Sequence, residues 1–158
     1  MIGFEHIYEK NYIIVYRYVL SLCRNATLAE EITQEAFVKA LEHMARFDGK
    51  CKIYVWICQI AKNTYYTYLK RQRRFVEEER IPVGIELGPE ERFFESEEAK
   101  RIYVLLNQLE EPYREVFSLR VFGELSFSQI GEILGKTDSW ARVIYFRAKK
   151  KLKEDLDE

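Results

Sequence analysis

The chain has few of the residues that mark secreted, membrane or metal-binding proteins. No apolar run approaches the roughly 20 residues needed to span a bilayer, and no basic stretch followed by a short apolar core opens the sequence. We therefore expect a cytoplasmic protein. Only three cysteines occur, Cys23, Cys51 and Cys58. They lack the paired close spacing of zinc sites, and we expect buried, reduced thiols.

The motifs of common enzyme classes are absent as well. The two histidines, His6 and His43, lie far apart in the sequence and belong to no carboxylate constellation. Neither a glycine-rich phosphate loop nor a nucleophile motif occurs. A nuclease or a nucleotide-processing enzyme is thus a disfavoured alternative, and we predict no catalytic activity, cofactor or metal.

Charge is strongly segregated along the chain, although the net charge is only −1. Residues 1–75 carry 12 basic and 7 acidic side chains, whereas residues 76–100 carry 3 basic and 9 acidic ones. In the rest of the chain the basic residues concentrate between Arg142 and Lys153. Two basic clusters around an acidic spacer are typical of a protein that touches a polyanion at two places. The alternative is that they are solvated helix faces, grouped by accident.

Apolar residues recur with a helical period in two blocks, and no strand pattern appears, so we predict an all-α chain. Before the acidic segment we expect helices over residues 4–23, 27–46 and 53–74. Thr27 and Glu30 predict a capping box for the second, and Gly49 predicts a turn before the third. The side chains expected to be buried are Phe4, Ile7, Tyr8, Val15, Val19, Leu22, Ala29, Ile32, Ala36, Ala40, Met44, Val55, Trp56, Ile60, Ala61, Tyr68 and Leu69.

A segment poor in apolar residues separates the two blocks. Residues 76–92 contain two of the three prolines and two glycines among glutamates, which predicts a flexible acidic linker. We therefore divide the chain into two small helical domains, residues 1–75 and 93–158. In the second domain the first helices are expected over about residues 89–109, burying Phe93, Ile102, Leu105 and Leu106, and from Pro112 to Gly123.

The end of the chain has the form of a helix-turn-helix. A short helix over residues 126–134, opened by a capping box of Ser126 and Gln129, precedes a turn at Gly135 and a basic helix over residues 138–153. On the last helix the buried stripe is Ala141, Tyr145, Ala148 and Leu152. The opposite side presents Ser139, Arg142, Val143, Arg147, Lys149 and Lys150. Such a face suits the bases and phosphates of duplex DNA. The alternative is an ordinary helical hairpin with a charged outer face.

Tyrosines and basic residues interleave near the end of the third predicted helix. The rings are Tyr65, Tyr66 and Tyr68, and their polar neighbours are Lys62, Asn63, Lys70, Arg71, Arg73 and Arg74. Aromatic rings stack on unpaired bases while cations hold the sugar-phosphate backbone. The alternative is that the tyrosines belong to the core. We favour the core for Tyr68 and leave both interpretations open for Tyr65 and Tyr66.

Three groups of residues carry a family resemblance. They are Ala29 to Ala40; Tyr54 to Asn63 with Tyr68 to Arg71; and Leu109 to Phe117, Leu125 to Gly131 and Arg147 to Leu152. In this order they resemble the polymerase-binding helix, the promoter-melting and minus-ten-element helix, and the minus-thirty-five-element domain of the bacterial extracytoplasmic-function (ECF) sigma factors of the sigma-70 family.

The resemblance implies a sigma factor that binds core RNA polymerase, directs it to specific promoters, assists promoter opening and is regulated by an anti-sigma factor. It places the polymerase contact at Glu30, Glu31, Gln34, Glu35 and Phe37. It places melted DNA at Trp56, Asn63 and the loop over residues 47–52. The DNA-binding candidates as a whole are Trp56, Lys62, Asn63, Tyr65, Tyr66, Lys70, Arg71, Arg73, Arg74, Ser139, Arg142, Val143, Arg147 and Lys150.

Three positions depart from what is common in the family. Thr67 replaces an aspartate, Trp140 a threonine or serine, and Ile144 an arginine. They leave the promoter sequence open and do not affect the expected architecture. A helix-turn-helix repressor or activator is the main alternative, but the sequence has neither a heptad seam for a symmetric dimer nor a ligand domain.

Overall fold

The computed structural model describes residues 3–79 and 96–157. These residues form seven α-helices and one short 3-10 turn and contain no strand, which confirms the all-α prediction for them. The helices are α1 (Phe4–Cys23), α2 (Ala26–Glu42), α3 (Ile53–Glu79), α4 (Glu97–Gln108), α5 (Tyr113–Val121), α6 (Phe127–Leu134) and α7 (Asp138–Asp157), with the 3-10 turn at Met44–Arg46.

The start of α2 differs from the prediction. Its N-cap is Asn25, whose side-chain oxygen accepts a hydrogen bond from the Leu28 amide at 3.2 Å. The predicted capping box of Thr27 and Glu30 is therefore wrong. Asn25 already has an extended backbone there, and asparagine is among the best N-cap residues. The helix also ends earlier than predicted, because Met44–Arg46 forms a 3-10 turn.

Around the acidic segment the helices end at other residues than predicted. Helix α3 continues to Glu79, into the segment that we assign to the linker from the sequence. Helix α4 begins at Glu97, where the Ser96 hydroxyl accepts from the Ala99 amide at 3.1 Å. Of the residues predicted to be buried on this helix, Leu106 is buried and Ile102 and Leu105 are half-buried. The other predictions for this region, the linker over 80–92, the helix start near 89 and burial of Phe93, lie outside the described residues.

The helix-turn-helix forms as predicted. The Ser126 hydroxyl accepts from the Gln129 amide at 3.1 Å, and the Gln129 side chain accepts from the Ser126 amide at 3.0 Å. Helix α6 ends at Gly135, whose φ of 70° lies in the left-handed region. A side chain at Gly131 would come within 2.8 Å of the Thr137 carbonyl, so glycine lets the turn fold back closely against α6.

One hydrophobic core runs through both halves of the molecule. Helices α1, α2 and α3 pack together, and buried residues of α5, α6 and α7 join the same cluster, including Val116, Leu119, Ile130 and Ile144. A smaller cluster holds α4 against α5 and α7 and consists of Leu106, Leu109, Phe117, Ala148 and Leu152. The buried stripe predicted for α7 is confirmed at Ala141, Ala148 and Leu152, whereas Tyr145 is half-buried.

The buried face of α3 is rotated from the predicted one. Its buried residues are Tyr54, Ile57, Cys58, Ala61, Thr64 and Tyr65. Of the predicted set only Ala61 is buried, and Val55, Trp56, Ile60, Tyr68 and Leu69 are half-buried. The apolar pattern predicted the wrong face because apolar residues flank the core stripe of α3 on both sides. They do so because α3 packs on α1 and α2 and also contacts α6.

The cysteines are free, and two of the three are buried as expected. Cys51 is the exception, since it is exposed in the loop before α3. Burial raises the pKa of the Cys58 thiol, which favours its protonated form. Across residues 3–79 and 96–157, no helix is both long and apolar enough to cross a bilayer.

Candidate nucleic-acid and polymerase interfaces

The outer face of α7 is open and strongly basic. The predicted residues Ser139, Arg142, Val143, Arg147, Lys149 and Lys150 are all exposed. Between residues 139 and 153 the helix has six basic residues and no acidic one. Its inner face packs on α4, α5 and α6. Helix α7, the second helix of the helix-turn-helix, therefore offers a basic outer face without acidic residues over this stretch, and this is the helix that enters the major groove in DNA-binding helix-turn-helix proteins.

Arg142 lies over an aromatic ring at the base of this surface. Its guanidinium is 5.4 Å from the ring centre of Phe127, and Arg120 lies 4.3 Å from the same ring. Two of the residues that differ from the family pattern point partly or wholly inward. Ile144 is 7% exposed and joins the core, and Trp140 is half-buried beside Lys136. The side chain at position 144 is therefore not part of the outer face.

The DNA-binding candidates of α3 separate into two faces. Trp56, Asn63 and Lys70 are seven residues apart and share a side of the helix. Asn63 and Lys70 are exposed, while half-buried Trp56 packs against Phe47 with ring centres 5.2 Å apart. The loop before α3 and this open face together form one surface. Further along the helix the arginines 71, 73 and 74 are exposed.

The second face of α3 points toward the other half of the molecule. Lys62, Tyr65 and Tyr66 line a cavity of about 540 Å³ that is also lined by residues of α4 and α5. The Tyr65 ring is 9% exposed and Tyr66 is 45% exposed. Tyr65 therefore takes the core alternative in this structure, and Tyr68, half-buried against the core, agrees with the interpretation favoured from the sequence.

Arg24 fastens the two halves at the edge of this cavity. It follows α1 and is 7% exposed, with its guanidinium 4.8 Å from the Tyr103 ring and 4.9 Å from the Phe122 ring. Nη1 donates to the Asn107 side chain at 3.3 Å and Nη2 to the Ser118 hydroxyl at 3.2 Å. The buried Nε has no acceptor among the described residues. A buried arginine held by rings and neutral oxygens is costly to desolvate, so its position depends on this packing.

Three further features join the halves. Glu132 of α6 accepts from the Tyr54 hydroxyl and pairs with Lys52 at 2.9 Å. A side chain at Gly123 would lie 3.0 Å from the Arg17 carbonyl, so α5 approaches α1 through glycine. The third feature lies in the cavity, where Lys62 of α3 faces Glu115 of α5. Burial raises the pKa of the Glu115 carboxyl group there.

The environment of Glu115 contains charges of both signs. Glu111 also raises its pKa, whereas Lys62 and Arg114 lower it without reversing the effect of burial. Lys62, a DNA-binding candidate, therefore faces a carboxyl group of the other half in this structure.

The polymerase-binding candidates lie on α2, with one exception on its inner side. Glu30, Glu31, Gln34 and Glu35 are exposed. Phe37 is 1% exposed and packs against the rings of Phe4, Tyr8 and Tyr12. The prediction that Phe37 contacts polymerase directly is therefore corrected: its ring is part of the core, because α2 buries it against α1.

Two exposed apolar pairs lie on α2 and α7, and of their four residues only Val143 is a DNA-binding candidate from the sequence. Val38 and Leu41 are 55% and 53% exposed on α2, and Val143 and Phe146 are 46% and 54% exposed on α7. Of the four, only Val143 is among the residues predicted to face outward. The available signal was apolar residues three positions apart and off the buried stripe. No group of metal-ligating side chains occurs in the part of the chain that the structure describes.

Comparison with known proteins gives consistent matches in both halves. Residues 7–75 match the family model "Sigma-70 region 2", and residues 99–152 match "Sigma-70, region 4". The chain is 25% identical to the ECF RNA polymerase sigma factor SigM of Bacillus subtilis (strain 168), with 94% of this chain and 92% of that protein covered. It is 30% identical to a probable RNA polymerase sigma factor of Haemophilus influenzae, with 83% and 78% covered.

The fold is also similar to a solved structure. Sigma factor RpoE from Bartonella quintana, crystallised in complex with the anti-sigma factor NepR, aligns with a TM-score of 0.60 at 20% identity. The alignment covers 98% of this chain and 96% of that one. At this identity the similarity concerns the fold.

Proposed function

Because this chain belongs to the ECF group of the sigma-70 family of RNA polymerase sigma factors, we propose that its two halves read different promoter elements in different states of the DNA. The observation that carries the proposal is the exposed face of α7, which has six basic residues and no acidic one between residues 139 and 153. It supports binding of the upstream, duplex element, with Ser139, Arg142 and Val143 at base edges and Arg147 and Lys150 at phosphates.

The first half takes the downstream element as its strands separate. On the open face of α3, Trp56 and Asn63 suit an unpaired base, which needs a ring to stack on and a polar group to hold its edge. Lys70 and the arginines 71, 73 and 74 neutralise the adjacent backbone. Tyr66, which is 45% exposed, belongs to this surface already, and Lys62 and Tyr65 join it when the second half moves away from them.

Helix α2 binds core RNA polymerase. Glu30, Glu31, Gln34 and Glu35 supply an acidic and polar patch beside exposed Val38 and Leu41, a combination of a charged rim and an apolar centre that is typical of protein interfaces. The chain acts in the cytoplasm, where its polymerase partner works, and has no catalytic activity of its own. A further partner is an anti-sigma factor that covers these surfaces.

In vitro transcription with core polymerase tests the proposal. The holoenzyme is presented with a randomised promoter pool, and transcribed templates are sequenced. We expect enrichment of two conserved elements at a fixed separation, and no initiation with core polymerase alone. Transcription at the same level without the chain, or binding of the chain to specific DNA but not to core polymerase, would contradict the proposal and favour a repressor or activator.

A further inference from the structure

The outer face of α7 contains an apolar pair inside its basic surface. Val143 and Phe146 are three residues apart and therefore neighbours on the helix surface. Both are about half exposed, although a phenyl ring in water forfeits the stabilisation that burial would provide. Single exposed apolar residues are ordinary, but an adjacent pair at the centre of a binding face indicates a ligand with apolar groups.

The Phe146 ring is held in place by other rings. Its centre lies 5.3 Å from that of Tyr145, edge to face, and 6.4 Å from that of Phe127. Tyr145 in turn stacks on Phe117 at 5.7 Å. One side of Phe146 is thus packed while the rest faces outward. An apolar contact that is already oriented loses little side-chain entropy on binding.

The charges around the pair indicate what covers it. Arg142 and Arg147 are exposed and adjoin Val143 and Phe146 in the sequence, and no acidic residue occurs between 139 and 153. The ligand is therefore a polyanion that also presents apolar groups at the spacing of a helix surface. Duplex DNA fits this description in its major groove, where the thymine 5-methyl group is the apolar feature that sets thymine apart.

We propose that Val143 and Phe146 contact thymine 5-methyl groups in the upstream promoter element. This inference rests on the proposed function of α7 and adds the base class that it reads. Arg142, one residue before Val143, reads a neighbouring base pair by hydrogen bonding. The upstream element accordingly contains one or two positions at which the methyl group itself is recognised.

Replacing thymine by uracil tests this directly, because uracil pairs identically and lacks only the methyl group. The upstream element is first selected from a randomised duplex pool with the holoenzyme. Each thymine is then replaced singly by uracil, and binding is measured at constant salt. We expect uracil at one or two positions to weaken binding about fourfold each, the factor that corresponds to one methylene-sized group. The remaining positions should be insensitive.

Variants assign the effect to the two side chains. In Phe146→Ala the uracil penalty at one position should disappear, and Phe146→Leu should retain part of it, since the interaction is apolar. Val143→Ala should abolish the penalty at the second position if two are found. Val104→Ala, an equally exposed valine on α4, is the matched control and should leave every penalty unchanged.

The possible failures are distinguishable. If the holoenzyme selects an element but no uracil substitution weakens wild-type binding by about twofold, or if Phe146→Ala keeps the full penalty, the methyl-contact inference is wrong and the proposed function stands. Absence of any selected element overturns both. Loss of anti-sigma binding in Phe146→Ala without a change in uracil response would identify the pair as a protein contact and overturn the inference.

Discussion

Asn63 lies on the open face of α3, seven residues or about two helical turns after Trp56. If it holds an unpaired base, Asn63→Ala should impair promoter opening, since extruding a base costs a few kcal/mol that its capture must return. Arg142→Ala should instead cost about 1–3 kcal/mol of upstream discrimination. Transcription from an intact promoter and from one already melted at the start region separates the two effects.

Pre-melting should partly rescue Asn63→Ala and should not restore the upstream sequence preference of Arg142→Ala. Identical responses of both variants would contradict the division of labour between the halves.

Glu115 makes stability depend on pH through its buried carboxyl group. Its pKa is raised, mainly by burial, so the stability that it contributes is present at pH values below its unfolded pKa and is lost as the pH rises through its folded pKa. Glu115→Gln removes this titration. We expect the Tm of the variant to rise relative to wild type as the pH increases from about 4 to about 7. Glu110→Gln, at an exposed position, is the control.

The Tm of Glu115→Gln minus that of wild type, measured at each pH, shows directly whether ionisation of Glu115 stabilises or destabilises the fold. If the difference in Tm between Glu115→Gln and wild type stays constant or shrinks with rising pH, the surroundings of Glu115 do not destabilise its ionised carboxylate.

At the scale of single elements, the exposed face of α2 can be tested apart from its core face. Gln34→Ala combined with Glu35→Lys removes two exposed side chains and an ion pair to Lys39 of 3.5 Å, which at this exposure contributes little to stability. We expect weaker binding to core polymerase with a nearly unchanged Tm. Glu9→Lys makes the same charge change at an exposed position of α1 and should leave binding intact. A large fall in Tm with unchanged affinity for core polymerase would show that Gln34 and Glu35 support the fold and do not contact polymerase.

The arginines 71, 73 and 74 of α3 should contribute to DNA affinity through phosphate contacts. Changing arginines 71, 73 and 74 to alanine should weaken holoenzyme binding and reduce the salt slope by about 0.7–0.9 for each phosphate that is no longer neutralised. Lys10→Ala, on α1, serves as a reference for removal of an exposed cation. An unchanged slope in the triple variant would argue against this surface as a DNA contact.

Local signals in the sequence predicted some elements well and others poorly. The capping box of α6 and the glycine after it involve neighbouring residues, so their outcome could be predicted. At α2 the sequence pattern predicted Thr27 as the cap, but Asn25, two residues earlier, caps the helix instead. The covering of Lys62 and Tyr65 depends on contacts with α4 and α5, far along the chain. No local pattern encodes that. Helical spacing, by contrast, does put Phe37 on the side of Ala40 and Met44, which were predicted to be buried.

At the scale of the whole molecule, Arg24 helps to hold together the two halves, which also share a hydrophobic core. Arg24→Ala removes two hydrogen bonds and both ring contacts, so we expect the halves to separate. Dyes on the exposed thiol of Cys51 and on a cysteine introduced at exposed Ser128 should then show lower energy transfer. Arg17→Ala breaks only a 4.0 Å surface pair with Glu124 and should have little effect.

Arg24→Lys distinguishes charge from shape in the same assay. It keeps the positive charge but loses the planar group that fits between the two rings, and should resemble alanine. Energy transfer equal to wild type in both variants would mean that the shared core alone joins the halves.

The burial of Tyr65 and the partial burial of Lys62 at the cavity also set a thermodynamic rule for the free chain. Any strand that needs those side chains binds only the fraction of molecules in which they are uncovered, so its apparent dissociation constant is the intrinsic one divided by that fraction. The coupling is reciprocal: a partner that holds the halves apart tightens strand capture by the same factor by which a captured strand tightens the partner. If polymerase is such a partner, its binding would raise the affinity for single strands without any new contact to the DNA.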